Sequence, residues 1–138
     1  MKKNNILKKW HPIEMIHGDL YLISLSYDQA NGLEVSFEIE NTGSKLVFDF
    51  GFHALYYQIQ NENSSLKMID DYSITGNNWS LFSVEKSDMI HWIAKNSYNI
   101  ISEEDILHFI LSHADGLITI LSGKEPKVSL KELKNLKS

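Results

Sequence analysis

The stretch LEVSFEIENTGSKLVFDF, residues 33–50, decides the fold that we predict for this chain. Apolar and polar side chains alternate in its first eight residues, which is typical of a strand with one buried face. Residues 41–44 are a turn cluster, and a second alternating run follows them. We therefore expect an antiparallel hairpin with residues 41–44 as its loop. The expected pairs are Glu40 with Lys45, Ile39 with Leu46 and Phe37 with Phe48.

Further strands are predicted on both sides of this hairpin. Residues 20–27 and 52–60 each show a strand pattern, so residues 20–60 are expected to form an antiparallel meander of four strands. A weak strand is predicted at residues 66–69 and a short one within residues 79–86. The sequence thus predicts an α+β fold, mostly an antiparallel sheet, with one or two helices packed on it.

Two helices are predicted. Residues 88–96 form the clearer one, because Ser87 suits the N-cap, Asp88 the first turn and Lys95 the last turn. A marginal C-terminal helix is predicted from Ser129, which has capping-box spacing to Glu132 and is followed by leucines every three residues.

The run HFILSHADGLITILSG, residues 108–123, places Ser112, His113 and Asp115 within four residues. A Ser-His-Asp triad needs the three side chains to converge, but neighbouring strand residues point to opposite faces. Asp115-Gly116 is a common turn pair. We interpret the segment as a hairpin tip. Ile106, Phe109, Ile110 and His113 would also line one face of a helix. We favour a strand over residues 106–112, because the turn is followed at once by a second apolar run.

Catalytic and metal-binding signals are weak. The six histidines lack the spacings that metal sites on one helix or strand require, the chain has no cysteine, and no phosphate-binding glycine loop is present. We expect no enzyme, no metal and no cofactor. The alternative is a small-ligand-binding protein or an enzyme that uses the concave face of a curved antiparallel sheet. Its nearest candidate residues are Asp49, His53, Tyr56 and Tyr57.

Charge is distributed unevenly along the 138 residues. The lysine-rich ends, residues 1–9 and 124–138, hold nine lysines and two glutamates, a charge of +7, whereas residues 10–123 hold four lysines and sixteen carboxylates, a charge of −12. There is no arginine. An acidic body should repel nucleic acid and attract a basic protein. The residues predicted to bind this partner are Glu34, Glu38, Glu40, Asp70, Asp71, Trp79, Glu103, Glu104 and Asp105.

Length and hydropathy favour a single domain covering residues 1–138, with the lysine-rich ends as tails. No apolar run reaches the roughly 18 residues of a membrane span, and no signal-peptide pattern is present. With no cysteine, the chain fits a reducing compartment. We expect a cytoplasmic protein with no membrane partner.

The last third of the chain resembles a group of small bacterial proteins in which a strand leads to a helix and then to a hairpin. The resemblance covers roughly residues 80–128. The matching residues are Trp92, Ser97-Tyr98-Asn99-Ile100, His108-Phe109, Asp115, Leu121-Ser122 and Pro126. Asn99 and Thr119 stand where this group leads us to expect Gly and Asp. The group is similar to immunity proteins of polymorphic toxin systems, including those of contact-dependent growth inhibition.

This resemblance implies an immunity-type protein that binds and neutralises a cognate toxin domain, expected to be a basic nuclease. An acidic partner can cover a basic nucleic-acid cleft, so the implication agrees with the charge distribution.

Overall fold

The computed structural model describes residues 5–13, 18–72, 74 and 79–133, apart from the side chains of Asp70 and Asp71. Two antiparallel sheets and two short helices lie in this part of the chain, so the predicted α+β fold with mostly antiparallel sheet is confirmed. The strands are β1 (Ile6–Lys9), β2 (Leu20–Asp28), β3 (Gly32–Ile39), β4 (Ser44–Gly51), β5 (Ala54–Asn61), β6 (Leu81–Glu85), β7 (Leu107–His113), β8 (Gly116–Ser122) and β9 (Lys127–Glu132). The helices are α1 (Leu66–Asp71) and α2 (Asp88–Asn96), and 3-10 helices cover Asn63–Ser65 and Glu103–Asp105.

The central hairpin of β3 and β4 forms as predicted, but its register differs by two residues. The observed pairs are Glu38 with Lys45, Phe37 with Leu46 and Val35 with Phe48. The loop begins earlier than expected because the Thr42 hydroxyl donates to the Ile39 carbonyl at 2.8 Å and accepts the Ser44 N–H at 3.0 Å. A shift of two residues keeps every side chain on its predicted face, so the buried face of β3 is still the predicted one.

The predicted four-stranded meander is wrong in its last strand. One sheet has the order β2-β3-β4-β9, and β5 belongs to the other sheet, of order β1-β6-β7-β8-β5. The free edge of β4 is taken by β9, where Leu130 lies opposite Leu46 and Val128 opposite Phe48. Strand β5 pairs instead with β8. The backbone of Gln60 on β5 approaches Gly116 of β8 so closely that a side chain at position 116 would collide with it.

The two sheets pack face to face, and the main core lies between them. Its members from the first sheet include Leu33, Val35, Phe37, Ile39, Leu46, Phe48 and Phe50, and those from the second include Leu81, Phe109, Leu111, Ile118 and Ile120. The opposite face of the second sheet is covered by the helices. Because β7 and β8 are buried on both faces, their sequences are almost continuously apolar. The structure therefore confirms the strand rather than the helix at residues 107–112.

Helix α2 has the predicted bounds. The Ser87 hydroxyl accepts the Ile90 N–H at 3.1 Å, as expected of an N-cap. Ile90 and Ala94 pack against Ile106 and Leu121 on the second sheet. The weak strand predicted at residues 66–69 is wrong, since these residues begin α1. Apolar side chains on the helix pack on Phe82 and its neighbours, and this contact overrides the weak local preference.

The predicted C-terminal helix is also wrong where the structure describes it. Residues 127–132 form β9, and residues 134–138 lie outside the described range. A short lysine-rich helix has little stability of its own, whereas a strand at this place completes the hydrogen bonding of β4 and packs Val128 on the core.

The outer strands define two sides of the sandwich. Trp10 directly follows β1 and contacts Phe48 on β4, the strand that pairs with β9, so β1 and β9 lie on the same side of the sandwich. We call it the lysine side, because these two strands carry Lys8, Lys9, Lys127 and Lys131. Tyr27 of β2 contacts Tyr57 of β5, with ring centroids 6.2 Å apart, so these strands form the opposite side. We call it the uncharged side, because residues 20–27 and Ala54–Asn61 contain no charged side chain.

Candidate functional site

Four carboxylates meet at one end of the sandwich, and we call this cluster the acidic end. Glu38 comes from the end of β3, Glu40 from the loop after it, Asp19 from the residue before β2 and Asp115 from the turn between β7 and β8. Backbone hydrogen bonds fix the arrangement. The Glu40 N–H donates to the Asp19 carbonyl at 2.9 Å, and the Ala114 N–H donates to the Leu20 carbonyl at 2.9 Å.

Tyr21 reports the electrostatic field of the acidic end. Its phenol has a raised pKa, caused first by the carboxylate of Glu40, then by partial burial and by Asp19, Asp115 and Glu38. Because Tyr21 is 41% exposed, the four negative charges account for most of the effect. A surface that disfavours one more negative charge favours a positive one, so a lysine or arginine of a partner would be attracted here.

His113 lies beside this cluster. Its ring is 5.9 Å from that of Phe37, and its Nδ1 accepts the Asp115 N–H at 3.3 Å. Burial lowers its pKa, and the charge of Asp115 acts in the opposite direction. The His113 imidazole therefore accepts a hydrogen bond of the turn at Asp115. Ser112 precedes His113 on β7, so its side chain points to the opposite face and does not join them.

The remaining predicted glutamate of β3 lies away from the acidic end. Glu34 is exposed and lies opposite Ser26 and Asp49. It shares the outer face of the sheet with Glu38, four residues and about 13 Å further along the strand. Between them, Ser36 is buried and its hydroxyl is hydrogen bonded to that of Ser24 at 3.0 Å. The carboxylates of Glu34 and Glu38 are therefore separate on this face, and the hydrogen-bonded pair of Ser24 and Ser36 lies between them.

The acidic residues of the other predicted clusters are not brought to this end. Glu103, Glu104 and Asp105 form a 3-10 helix before β7, whereas Asp115 follows the far end of that strand. A strand of seven residues separates them by about 20 Å. Glu103 contacts His91 of α2, with Oε2 to Nδ1 at 2.7 Å. Asp70 and Asp71 end α1, and their side chains lie outside the described part of the chain.

Trp79 makes the contacts of a packing residue. Its indole N–H donates to the Trp10 carbonyl at 2.9 Å, its ring lies 4.7 Å from that of His11, and it packs on the core. It thereby holds the chain next to β1. A contact between Trp79 and a partner stays a prediction.

Sequence reasoning missed a buried serine–histidine pair on the helix-covered face. His108 Nδ1 lies 2.7 Å from the Ser87 hydroxyl, and the two residues are 21 positions apart. That hydroxyl also accepts the Ile90 N–H, and in its contact with Nδ1 either group can donate, depending on the tautomer of the ring. Burial lowers the pKa of His108 to about 4, so the ring is neutral at neutral pH. The only signals in the sequence were the N-cap serine and a histidine within an apolar strand.

This pair borders a cavity of about 920 Å³. Its lining includes Val84, Glu85, Ser87, Ile90, Glu103 and His108. Nε2 of His108 has no hydrogen-bond partner among the described residues, so nothing there orients the ring as the third member of a triad would. Ser87 is also nearly buried and caps α2. We interpret the pair as a structural contact that joins α2 to β7.

The residues considered for a concave-face site do not converge. Tyr56 and Tyr57 point to opposite faces of β5, because Tyr56 contacts Trp92 of α2 and Tyr57 contacts Tyr27 of β2. The Asp49 carboxylate accepts a hydrogen bond from the nearby Gly51 N–H at 3.0 Å. The inner faces of the sheets are filled by the core.

Within residues 5–13, 18–72, 74 and 79–133, no three His, Asp or Glu side chains are grouped as a metal site. In the same ranges, no helix has the length and apolar character needed to cross a membrane. No family model, curated protein or solved structure matches this chain.

Proposed function

We propose that this protein is an immunity-type binding protein, which neutralises a basic toxin domain by covering its positively charged surface. The observation that carries the proposal is the acidic end, where Asp19, Glu38, Glu40 and Asp115 converge from three separate parts of the chain. The partner class follows from charge complementarity. The toxin is suggested by the resemblance of residues 80–128 to immunity proteins.

The placement of lysines supports a directional surface. Lys45 is the only lysine between residues 10 and 66. On β4 it lies between Glu38 of β3 and Lys131 of β9, which belongs to the lysine side. A positively charged partner would therefore be attracted to the acidic end and repelled from the lysine side. Such steering raises the association rate more than it lowers the dissociation rate.

The test is co-expression with a basic toxin domain, and the first candidate to try is the C-terminal domain of any large secreted protein encoded immediately upstream. We expect the protein to restore growth and to co-purify with the domain in equal amounts. The variant carrying Asp19→Asn, Glu38→Gln, Glu40→Gln and Asp115→Asn should associate at least about tenfold more slowly at low salt, and its association rate should depend less on ionic strength.

A matched control removes the same number of charges at the other end of β7, with Glu103→Gln, Glu104→Gln, Asp105→Asn and Glu125→Gln, since Glu125 borders the same cavity as Glu103. Its association rate should fall less, since those carboxylates lie outside the acidic end. A domain that stays toxic in the presence of the protein would contradict the proposal. An association rate that ignores ionic strength would overturn its electrostatic part.

A further inference from the structure

The uncharged side exposes apolar side chains from two strands that face each other across the sandwich. Tyr57 and Ile59 of β5 lie opposite Ile120 and Ile118, so they point toward the inner face of their sheet. Tyr27 of β2 lies opposite Leu33 and also points inward. These three side chains stay between 37% and 55% exposed. They form a partly exposed apolar strip between β2 and β5, which we call the groove, and Tyr27 contacts Tyr57 across it.

The backbone along this groove is also available. Strand β2 pairs with β3 on one side only, and no described strand pairs with its other edge. Edge strands are usually guarded by lysines, proline or an irregularity. In β2 the guard is a register shift between Leu22 and Ser24, and residues 24–28 then pair regularly with residues 32–36. These five residues form a regular edge with unpaired hydrogen-bonding groups.

Negative charge surrounds this edge. Asp19 and Asp28 bracket β2 at its two ends, and Glu34 and Glu38 lie on the adjacent strand, opposite Ser26 and Tyr21. Two copies of this chain joined antiparallel through β2 would bring these carboxylates together, which disfavours a dimer. A positively charged strand would instead find partners at both ends and on the outer face.

We propose that β2 accepts an extended segment of a basic partner as an added strand. Alternate side chains of that segment point to opposite faces. Its apolar side chains fill the groove toward Tyr27, Tyr57 and Ile59, and its lysine or arginine side chains cover the outer face toward Glu34 and Glu38. Main-chain hydrogen bonds supply affinity, and the alternation supplies specificity. This inference rests on the proposed function, for which it names the mode of contact.

The experiment uses the full chain and two synthetic peptides of identical composition. One alternates lysine and valine over eight residues, and the other places four lysines before four valines. We expect the alternating peptide to bind at least about tenfold more tightly, and we expect protection from hydrogen exchange at those amides of residues 24–28 that point away from β3.

A matched pair of variants locates the binding edge. Ile23 is 44% exposed on β2, and Ile6 is 40% exposed on β1 of the lysine side. Ile23→Lys should weaken binding of the alternating peptide by about tenfold, because it places a positive charge at the edge, and Ile6→Lys should change it by less than about twofold.

Each other outcome overturns the inference in a distinguishable way. Equal binding of both peptides would show attraction by charge alone, which leaves the proposed function intact and removes strand addition. No binding of either peptide would also remove strand addition, while the co-expression test judges the proposed function separately. A dimer that Ile23→Lys dissociates and Ile6→Lys does not would identify a second copy as the occupant.

Discussion

The lysine side and the uncharged side are both built from the outermost strands of the two sheets, yet they present different chemistry to solvent. β1 and β9 carry Lys8, Lys9, Lys127 and Lys131, whereas the exposed side chains of residues 20–27 and Ala54–Asn61 are uncharged: tyrosine, isoleucine, leucine, serine and asparagine. Both kinds of edge leave backbone groups unpaired, and only the lysine side has the charges that discourage another strand from pairing.

This difference gives the charge distribution of the sequence a spatial meaning. The lysine-rich ends of the chain looked like tails, but residues 6–9 and 127–132 are edge strands on one side of the sandwich. The separation of charge along the chain is thus also a separation across the molecule. Under the proposed function, it would orient the protein toward a positively charged partner.

The largest expected effect comes from detaching β5, which would break the uncharged side. A Cβ at position 116 would collide with the Gln60 carbonyl and the Asn61 backbone. Gly116→Ala should therefore lower the free energy of unfolding by at least about 3 kcal/mol, measured by urea denaturation. Gly43→Ala is the control, since that position has φ +68° but open space around it, and it should cost about 1 kcal/mol. Equal losses in the two variants would contradict the close approach of β5.

An intermediate effect tests whether the two sides unfold together. His108 lies on β7, between them, and burial lowers its folded pKa to about 4, against about 6.5 in an unfolded chain. Between these values the unfolded chain binds a proton that the folded protein excludes, so stability should fall as pH drops from about 6.5 to about 4. The loss should reach about 3 kcal/mol and then level off.

Urea denaturation at several pH values measures this loss. The variant His108→Gln cannot be protonated there and should lose most of the acid dependence. His113→Gln should lose less of it, because the charge of Asp115 opposes the effect of burial on the pKa of His113. The protection factors of β1 and β5 against hydrogen exchange should fall equally in acid, if the sandwich is one cooperative unit. An unchanged pH profile in His108→Gln would show that another group is responsible.

The smallest effect on stability, and the most specific to the comparison, comes from the lysines. Lys8 and Glu85 form an exposed pair at 3.4 Å, and such pairs contribute little. Replacing Lys8, Lys9 and Lys127 with Gln should change the free energy of unfolding by less than about 0.5 kcal/mol. It should nevertheless raise self-association, measured by sedimentation, because it removes three of the four lysines on the two edge strands.

The control for this variant replaces three lysines outside the edge strands, Lys86, Lys95 and Lys124, with Gln. The change of net charge is the same, so a difference between the two variants reports position alone. If both remain monomeric to the same extent, the lysines do not protect the edges, and the two sides differ only in composition.

Local patterns in the sequence were sufficient for much of the fold. Alternation identified β3 and β4, and the N-cap serine with its flanking charges located α2. The hairpin register was wrong because it depends on how Thr42 folds the loop, which a polar turn cluster does not reveal. Asn99, at φ 61°, adopts the left-handed conformation for which the resemblance led us to expect Gly, and Asn tolerates it well.

Tertiary pairing accounts for the errors. The local sequence of residues 52–60 does not indicate that β5 pairs with β8 rather than with β4. The leucine spacing after Ser129 is compatible with a helix, and only the pairing with the edge of β4 makes these residues a strand. The candidate site failed in the same way. Glu38 and Glu40 were identified, but Asp19 and Asp115 join them only because the turn after β7 is hydrogen bonded to Leu20 of the other sheet.

The three tryptophans give each side of the molecule its own optical probe. Trp10 and Trp79 are in contact with each other and lie beside β1, whereas Trp92 of α2 packs edge-on against Tyr56 of β5, with ring centroids 5.2 Å apart. A protein that keeps only Trp92 would therefore emit from beside the uncharged side, and one that keeps only Trp10 would emit from the lysine side. Fluorescence of these two proteins could then follow events at each edge separately, without any attached dye.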